Sequence, residues 1–278
     1  MDGERIYLRQ EGQVYIEYGP VAMQVTALCG REPLTDLCRE AATVIRAVLE
    51  EVAAAMPLLK RPPGEIDPAL LGGLPLKMYQ AVRRTGEPTL TPMAAVAGTI
   101  SDAVADWLVL HGATVAVANN GGDIALRLAP GEQISLRTVI SLQTGEMSRP
   151  VTIRAEDGIG GICTSGLGGR SFTRGVADSV SVFAARAGWA DALATHLANA
   201  SFIESERVAA TLAKNLDPNT DIPELTVVTA VGALQPEERD MAVSRLLQEA
   251  GRQHDLGNFI RLSGYIQRQY FELGAAGR

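Results

Sequence analysis

Across the first 28 residues apolar side chains recur with period two: Ile6 and Leu8, Val14 and Ile16, then Val21, Met23 and Val25, with breaks at Glu11-Gly12 and Gly19-Pro20. Such alternation belongs to strands with one face against a core, so the chain is predicted to open with two or three antiparallel strands. From Pro33 to about Leu59 the period changes, and Leu37, Ala41, Ile45, Leu49 and Val52 fall on one helical stripe. An antiparallel sheet whose face is covered by a long amphipathic helix leaves few architectures open.

The rest of the chain mixes the two periods. Residues 61–76 hold four prolines and three glycines and read as a loop lying against the core. An alanine-rich helix is predicted over 93–110, ended by His111-Gly112, and the β-branched run ATVAVAN follows as a buried strand that resumes as IALRL after two glycines. Further strand signals are ISLRTVI, VTIRA and SVSVFA, with a helix from about Trp189 to Ala200. Strands and helices without regular alternation indicate α+β, with a mostly antiparallel sheet and packed helices. From Pro236 two amphipathic helices are expected, the second with Phe259, Leu262, Ile266 and Tyr270 on one face as core or subunit contact. This divides the chain into a domain over 1–235 and a C-terminal helical extension over 236–278, through which a homo-oligomer is expected.

Composition excludes several functions. Of the 25 lysines and arginines only Lys60, Lys77 and Lys214 are lysine, and none follows a glycine, which removes a P-loop. A formal charge of -7 carries no basic footprint for nucleic acid or anionic membrane. Asp102, Asp106 and Asp123 interrupt the best apolar runs before the roughly 18–20 residues of a membrane span. The three cysteines, Cys29, Cys38 and Cys163, lack CxxC spacing, and the first ten residues show no leader pattern, so a reducing cytoplasm is expected.

Polar, glycine-dense positions concentrate in three segments. In AAVAGTISD (94–102) small residues at a helix start leave backbone groups open to a ligand, or serve close helix packing. In NNGGDI (119–124) a hairpin turn explains Asn120 and Gly121; Gly122 and Asp123 beyond it fit either a plain turn or a ligand approaching bare backbone. In GIGGICTSGLGGRSFTRG (158–175) the dinucleotide fingerprint fails, because Cys163 occupies its third glycine position. What remains is a flexible glycine loop, structural or built to hold phosphate, with Arg170 or Arg174 adding charge. Cys163 is either a small buried thiol or a nucleophile. Further on, Asp191 and Thr195 stand one helical turn apart and can share a hard cation, or can cap and back-bond instead. His196 points off that face, and no zinc-type cluster exists.

In order and spacing, AVAG (95–98), NNGGDI (119–124), TSG (164–166) and ADALAT (190–195) resemble the motifs of the ApbE superfamily, whose best-known members are magnesium-dependent FAD:protein FMN transferases. The likeness covers roughly residues 75–230 and is closer still to a cytosolic, uncharacterised branch with PMAAVAG, NGGDI, CTS and ADAxAT. It implies a T-fold-like α+β architecture, Mg²⁺ on the Ala97 carbonyl, Asp191 and Thr195, and contacts to FAD, FMN or another small phosphate-bearing ligand from Asn120, Gly121, Gly122, Asp123, Thr164, Ser165 and Gly166. Asp191 and Cys163 are the candidate catalytic groups. Two departures stand out: Gly98 replaces the transferases' lysine, and RSFTRGVAD replaces their HxIDPxTG stretch. Two alternatives stand beside pyrophosphate cleavage or group transfer, namely sulfur handling through Cys163 and a non-catalytic binding or assembly module.

Overall fold

The computed structural model describes residues 3–169 and 171–274. The chain opens with strands β1 (Arg5–Gln10), β2 (Gln13–Tyr18), β3 (Val21–Cys29) and the short β4 (Glu32–Pro33), followed by helix α1 (Thr35–Leu59) and, after two 3₁₀ turns, α2 (Gly73–Thr85). A 3₁₀ turn at Pro92–Ala95 leads into α3 (Val96–Leu110), then β5 (Val115–Asn120) and β6 (Asp123–Leu128). Smaller strands come next: β7 (Gln133–Leu136), β8 (Val139–Ser141), β9 (Glu146–Met147) and β10 (Val151–Arg154). β11 (Gly161–Ser165) and β12 (Ser179–Ala184) precede α4 (Ala187–Ala200), and β13 (Val208–Leu212) and β14 (Thr226–Val231) form a separate ribbon. Last come α5 (Pro236–Asp255), β15 (Arg261–Ile266) and β16 (Gln269–Gly274).

One antiparallel sheet organises these parts, in the order β1-β2-β3-β5-β6-β11-β12-β15-β16, with β4 beside β3. The expected α+β class and antiparallel sheet are what the structure shows. The opening strands fall where the alternation placed them, and Val14, Ile16, Val21, Met23, Val25 and Ala27 of β2 and β3 are buried on the face that α1 covers, whereas Ile6 and Leu8 of the edge strand β1 are exposed. α3 lies on β5 and β6, and α4 on β11 and β12. Here the sheet offers Ala116, Ala118, Ala125 and Cys163, small side chains that let the two helices sit low. Fully buried Leu108, Leu193 and Leu197 each add about 1.5–3 kcal/mol through apolar burial. The opposite face is covered at Ile124, Leu126, Ile162 and Phe183 by the β7–β10 ribbon.

Four expectations need correction. The second C-terminal helix is a hairpin: β15 pairs with β12 and turns back through Gln267 and Arg268 into β16. Phe259, Leu262 and Ile266 are buried there, and Tyr270 stands opposite Tyr265. The loop expected over 158–175 is, at 161–165, a strand inside the sheet, paired with both β6 and β12. The loop expected over 61–76 gives way at Gly73 to α2, whose Pro75 sits in the first turn, where a missing N–H costs nothing. Finally, the run from Pro92 to Leu110 is long and apolar enough to cross a membrane by length and composition, despite Asp102 and Asp106. It is a packed helix of this fold, half buried, with Ile100, Val104, Ala105 and Leu108 in the core.

Candidate functional site

Glycine brings α3 and α4 together. A Cβ on Gly98 would lie 2.7 Å from the Ala187 carbonyl carbon, overlap its oxygen, and lie 2.8 Å from Asp191 Cβ; one on Gly188 would overlap the Thr99 hydroxyl. With both positions bare, Asp191 on α4 reaches the start of α3, where the first amides have no partner within their own helix. Asp191 Oδ2 accepts the Gly98 N–H at 2.8 Å, and the Ala97 N–H also donates to this carboxylate. Burial pushes the Asp191 carboxyl well above the usual carboxylate range, and the nearby charge of Asp123 adds to that, outweighing the two amides. Thr195 follows one turn further along α4.

The turn between β5 and β6 contributes the facing wall. Asn120 pairs with Asp123 across a two-residue turn in which Gly121 and Gly122 both have positive φ, 69° and 116°. Gly122 is therefore explained by the turn itself, which needs left-handed backbone at both central positions. Its amide donates to Asn119 Oδ1 at 2.9 Å, and a Cβ there would meet open space. The Ser101 hydroxyl holds the Asp123 carbonyl at 2.9 Å. Asn120 is only 6% exposed, and its side-chain amide has no hydrogen-bond partner among the described residues.

These groups converge on one cavity of about 690 Å³, in the range of small-molecule sites. Ala97, Asn120, Gly121, Asp123, Thr164, Ser165, Gly166, Asp191 and Thr195 all line it. Leu49, Val52, Ala53 and Met56 of α1 and the β2–β3 turn add apolar lining, bordered by Arg46 and Glu50 of the same helix. Gly122 and Cys163 lie outside its lining.

Cys163 is fully buried in β11, and its thiol donates to the Ala187 carbonyl at 3.2 Å. Burial and the charges of Asp123, Asp191 and Asp102 push this thiol well above its ordinary value, so the environment opposes the thiolate a nucleophile needs. The neighbouring glycines serve packing: a Cβ on Gly161 would overlap Ala187, and one on Gly166 would lie 2.7 Å from the Asp178 carbonyl oxygen. Thr164 Oγ1 is tied to Ser181 Oγ at 2.8 Å. Arg170 lies outside the described residues. Arg84 stacks on Trp189 at 4.1 Å.

Ala97, Asp191 and Thr195 thus share one wall, with a difference at Ala97. The helix begins at Val96, so Ala97 sits within the first turn rather than before it, and its amide faces Asp191. The oxygen donors fit a hard divalent cation, which binds through one or two carboxylates and completes its shell with water or phosphate. After burial, the charge of Asp123 is what raises the Asp191 pKa, and a bound cation would favour the ionised carboxylate. Among the described residues no group of three or more His, Cys, Asp and Glu side chains is placed to hold a metal ion by side chains alone.

The sequence reading missed the ion-pair network beneath this site. Arg127 on β6 reaches Asp102 Oδ1 at 2.6 Å and Asp106 Oδ1 at 2.7 Å, and Arg186 reaches Asp106 Oδ2 at 2.5 Å. Asp102 Oδ2 also accepts the Gly188 N–H at 2.9 Å, capping the start of α4 from α3. The pair Asp102 and Asp106 at i, i+4 was a visible signal that a basic partner was needed. Burial pulls the Asp106 carboxyl up, but the two arginines win and hold it below its usual value. His196, set aside as a metal ligand, faces a different cavity, with Nε2 2.9 Å from Glu249 Oε1.

The family described as AbpE bacteria matches residues 5–267. The UPF0280 protein of Methanothermobacter thermautotrophicus is 36% identical over 162 residues, 55% of this chain and 60% of the relative. That of Methanococcoides burtonii is 35% identical over 190 residues, 66% of this chain and 76% of the relative. That of Methanosarcina acetivorans is 34% identical over 179 residues, 62% of this chain and 67% of the relative. The chain thus spans 60–76% of the length of these relatives. Among solved structures, the flavin transferase ApbE from Vibrio cholerae aligns over 70% of this chain and 86% of its own, at 15% identity and a TM-score of 0.34.

Proposed function

The chain belongs to the AbpE bacteria family, and from that membership and the cavity we propose a magnesium-dependent protein that binds a flavin nucleotide or another phosphate-bearing ligand and acts on its phosphate linkage. The observation that carries this reading is the meeting of Asp123, Asp191, Thr195 and an Asn120 amide unpartnered among the described residues in one cavity of about 690 Å³ that also has apolar lining from α1. An apolar wall suits a planar ring, and the polar wall suits the charged part of the same molecule.

Asp191 and Thr195 are the side chains that would hold Mg²⁺, with Asp123 close enough to share the charge. When bound, the cation supplies neutralisation of phosphate charge. The residues of the chain do the rest. The Ala97 and Gly98 amides fix the Asp191 carboxylate in one orientation. Asn120 offers donors and an acceptor that have no partner among the described residues, and Leu49, Val52, Ala53 and Met56 of α1 give the cavity an apolar side. Because Gly98 stands where the resembling transferases carry lysine, no ammonium enters from α3 at this point, and the reaction differs from theirs in that group.

Calorimetry with FAD, FMN and ADP, each with and without Mg²⁺, tests the reading. Binding of at least one should require Mg²⁺ and be lost in Asp191→Asn. If Asp191→Asn binds all three as the parent does, the site is misassigned.

A further inference from the structure

A side chamber of about 420 Å³ adjoins the main cavity, sharing Met56, Met93, Val96, Ser171 and Thr195 as walls. Its far end is bounded by Arg174 and Asn199, which also line a third chamber of about 360 Å³. Arg174 therefore stands between two hollows, one reaching Thr195 and the other His196 on α4.

Its backbone is locked. The Arg174 N–H donates to Asn199 Oδ1 at 2.8 Å, the Val228 amide holds the Thr173 carbonyl at 2.8 Å, and Ser201 Oγ takes the amides of Val176 and Ala177. A Cβ on Gly175 would lie 2.7 Å from the Ala198 carbonyl carbon, so this segment lies directly on α4. The guanidinium is oriented by one neutral bond, Nη1 to Thr89 Oγ1 at 3.2 Å, and Thr89 is itself held by Glu87 Oε1 at 2.6 Å. Arg174 makes no ion pair with any described residue.

The acids around it bind other groups and make no ion pair with it: Glu87, in the third chamber, accepts the Thr89 amide and hydroxyl. In the side chamber Asp221 accepts the Thr91 hydroxyl and Asp217 accepts the Asn219 amide at 2.8 Å, while Lys60 adds a second cation and donates to the Asn219 carbonyl. In the third chamber Glu249 is bound by His196, Gln253 and Arg252. A half-buried guanidinium that is fixed in place, lacks an acid partner and faces a cavity has most of its planar donor fork available for an oxyanion.

We propose that Arg174 anchors an oxyanion, a phosphate monoester or a carboxylate, in the side chamber beyond Thr195. The inference rests on the proposed function in one respect: the anion is the far end of a ligand whose other part fills the main cavity. It narrows the ligand class to molecules with a second anionic group set apart from the metal-facing one.

Inorganic phosphate and acetate, each titrated without Mg²⁺ against thermal unfolding of the full chain, test it. At least one should raise the midpoint of the parent and of Asp191→Asn alike; phosphate alone indicates a monoester, acetate alone a carboxylate. In Arg174→Gln the apparent affinity should fall about ten-fold or more, with Arg174→Lys in between. As a readout that needs no variant, phenylglyoxal labelling of Arg174, followed by peptide mass, should be slowed by the effective anion. Arg174→Gln responding like the parent, or no response to either anion with labelling unprotected, overturns the proposal. Loss of Mg²⁺ and flavin binding with the anion response intact would instead count against the proposed function alone.

Discussion

Replacing Gly98 by alanine sets two effects against each other. In a helix alanine is favoured over glycine by about 1 kcal/mol. Opposed to that, the new methyl would lie 2.7 Å from the Ala187 carbonyl carbon and overlap its oxygen, with Asp191 Cβ 2.8 Å away. Backbone of a neighbouring helix cannot swing aside as a side-chain tip can, so the cost sits at the upper end of overpacking, about 3 kcal/mol. The net is a loss of about 2 kcal/mol, which for a chain of this size lowers the unfolding midpoint by roughly 4–8 °C. Gly251 is the matched control: it lies in α5 and has nothing within 4 Å of its missing Cβ. Gly251→Ala should gain about 1 kcal/mol, leaving the pair separated by about 3 kcal/mol in urea unfolding. Separation of α3 from α4 also lengthens the Gly98 N–H to Asp191 bond, so Gly98→Ala should weaken Mg²⁺ binding where Gly251→Ala does not. If Gly98→Ala is as stable as the parent, the close helix crossing is not what fixes glycine at this position.

Other expected outcomes follow from single contacts. The two arginines hold the Asp106 pKa below its unfolded value of about 3.9, so its ion pairs stabilise the fold above that pH and are lost as pH falls through the lower folded value. Asp106→Asn should thus lower stability at neutral pH and flatten its decline in acid, as read by unfolding at several pH values. Of the three free cysteines only Cys29 is exposed, and burial pushes Cys38 to about 11. Iodoacetamide should therefore label Cys29 in the native protein and Cys38 and Cys163 only after unfolding; rapid native labelling of Cys163 would restore a thiol mechanism. Arg268, exposed and at φ 68° in the β15–β16 turn, is a strained position for a residue with a side chain. Arg268→Gly should raise stability by about 1 kcal/mol in urea unfolding.

Much of the fold could be read because periods two and 3.6 are easily separated over β2, β3 and α1. They could not be separated at the C-terminus. Leu262 and Ile266 are four apart, a spacing that keeps two residues on one face of a helix and equally on one face of a strand. The intervening turn uses Gln267 and Arg268, neither of which signals a tight turn. β11 was hidden for another reason: its glycine serves the approach of Ala187, a tertiary demand invisible along the chain. At the site, the i, i+4 spacing of Asp191 and Thr195 was legible. The closeness of Asp191 to Asp123 was not, because it follows from β6 lying next to β11 beneath α4. The Arg127 and Arg186 bridges were missed because they join β6, α3 and the residue just before α4, far apart in the chain.

The place of β15 in the sheet has a bearing on how the chain is made. β12 pairs on one side with β11, its near neighbour in sequence, and on the other with β15, which is reached only after α4, β13, β14 and α5. During synthesis the second edge of β12, carrying Val180 and Val182, stands open while those elements emerge from the ribosome. An open strand edge with apolar residues is a template for pairing with another chain. Early arrest, or deletion of the last hairpin, would therefore yield a product prone to self-association, and the final two strands act as the molecule's own protection against aggregation.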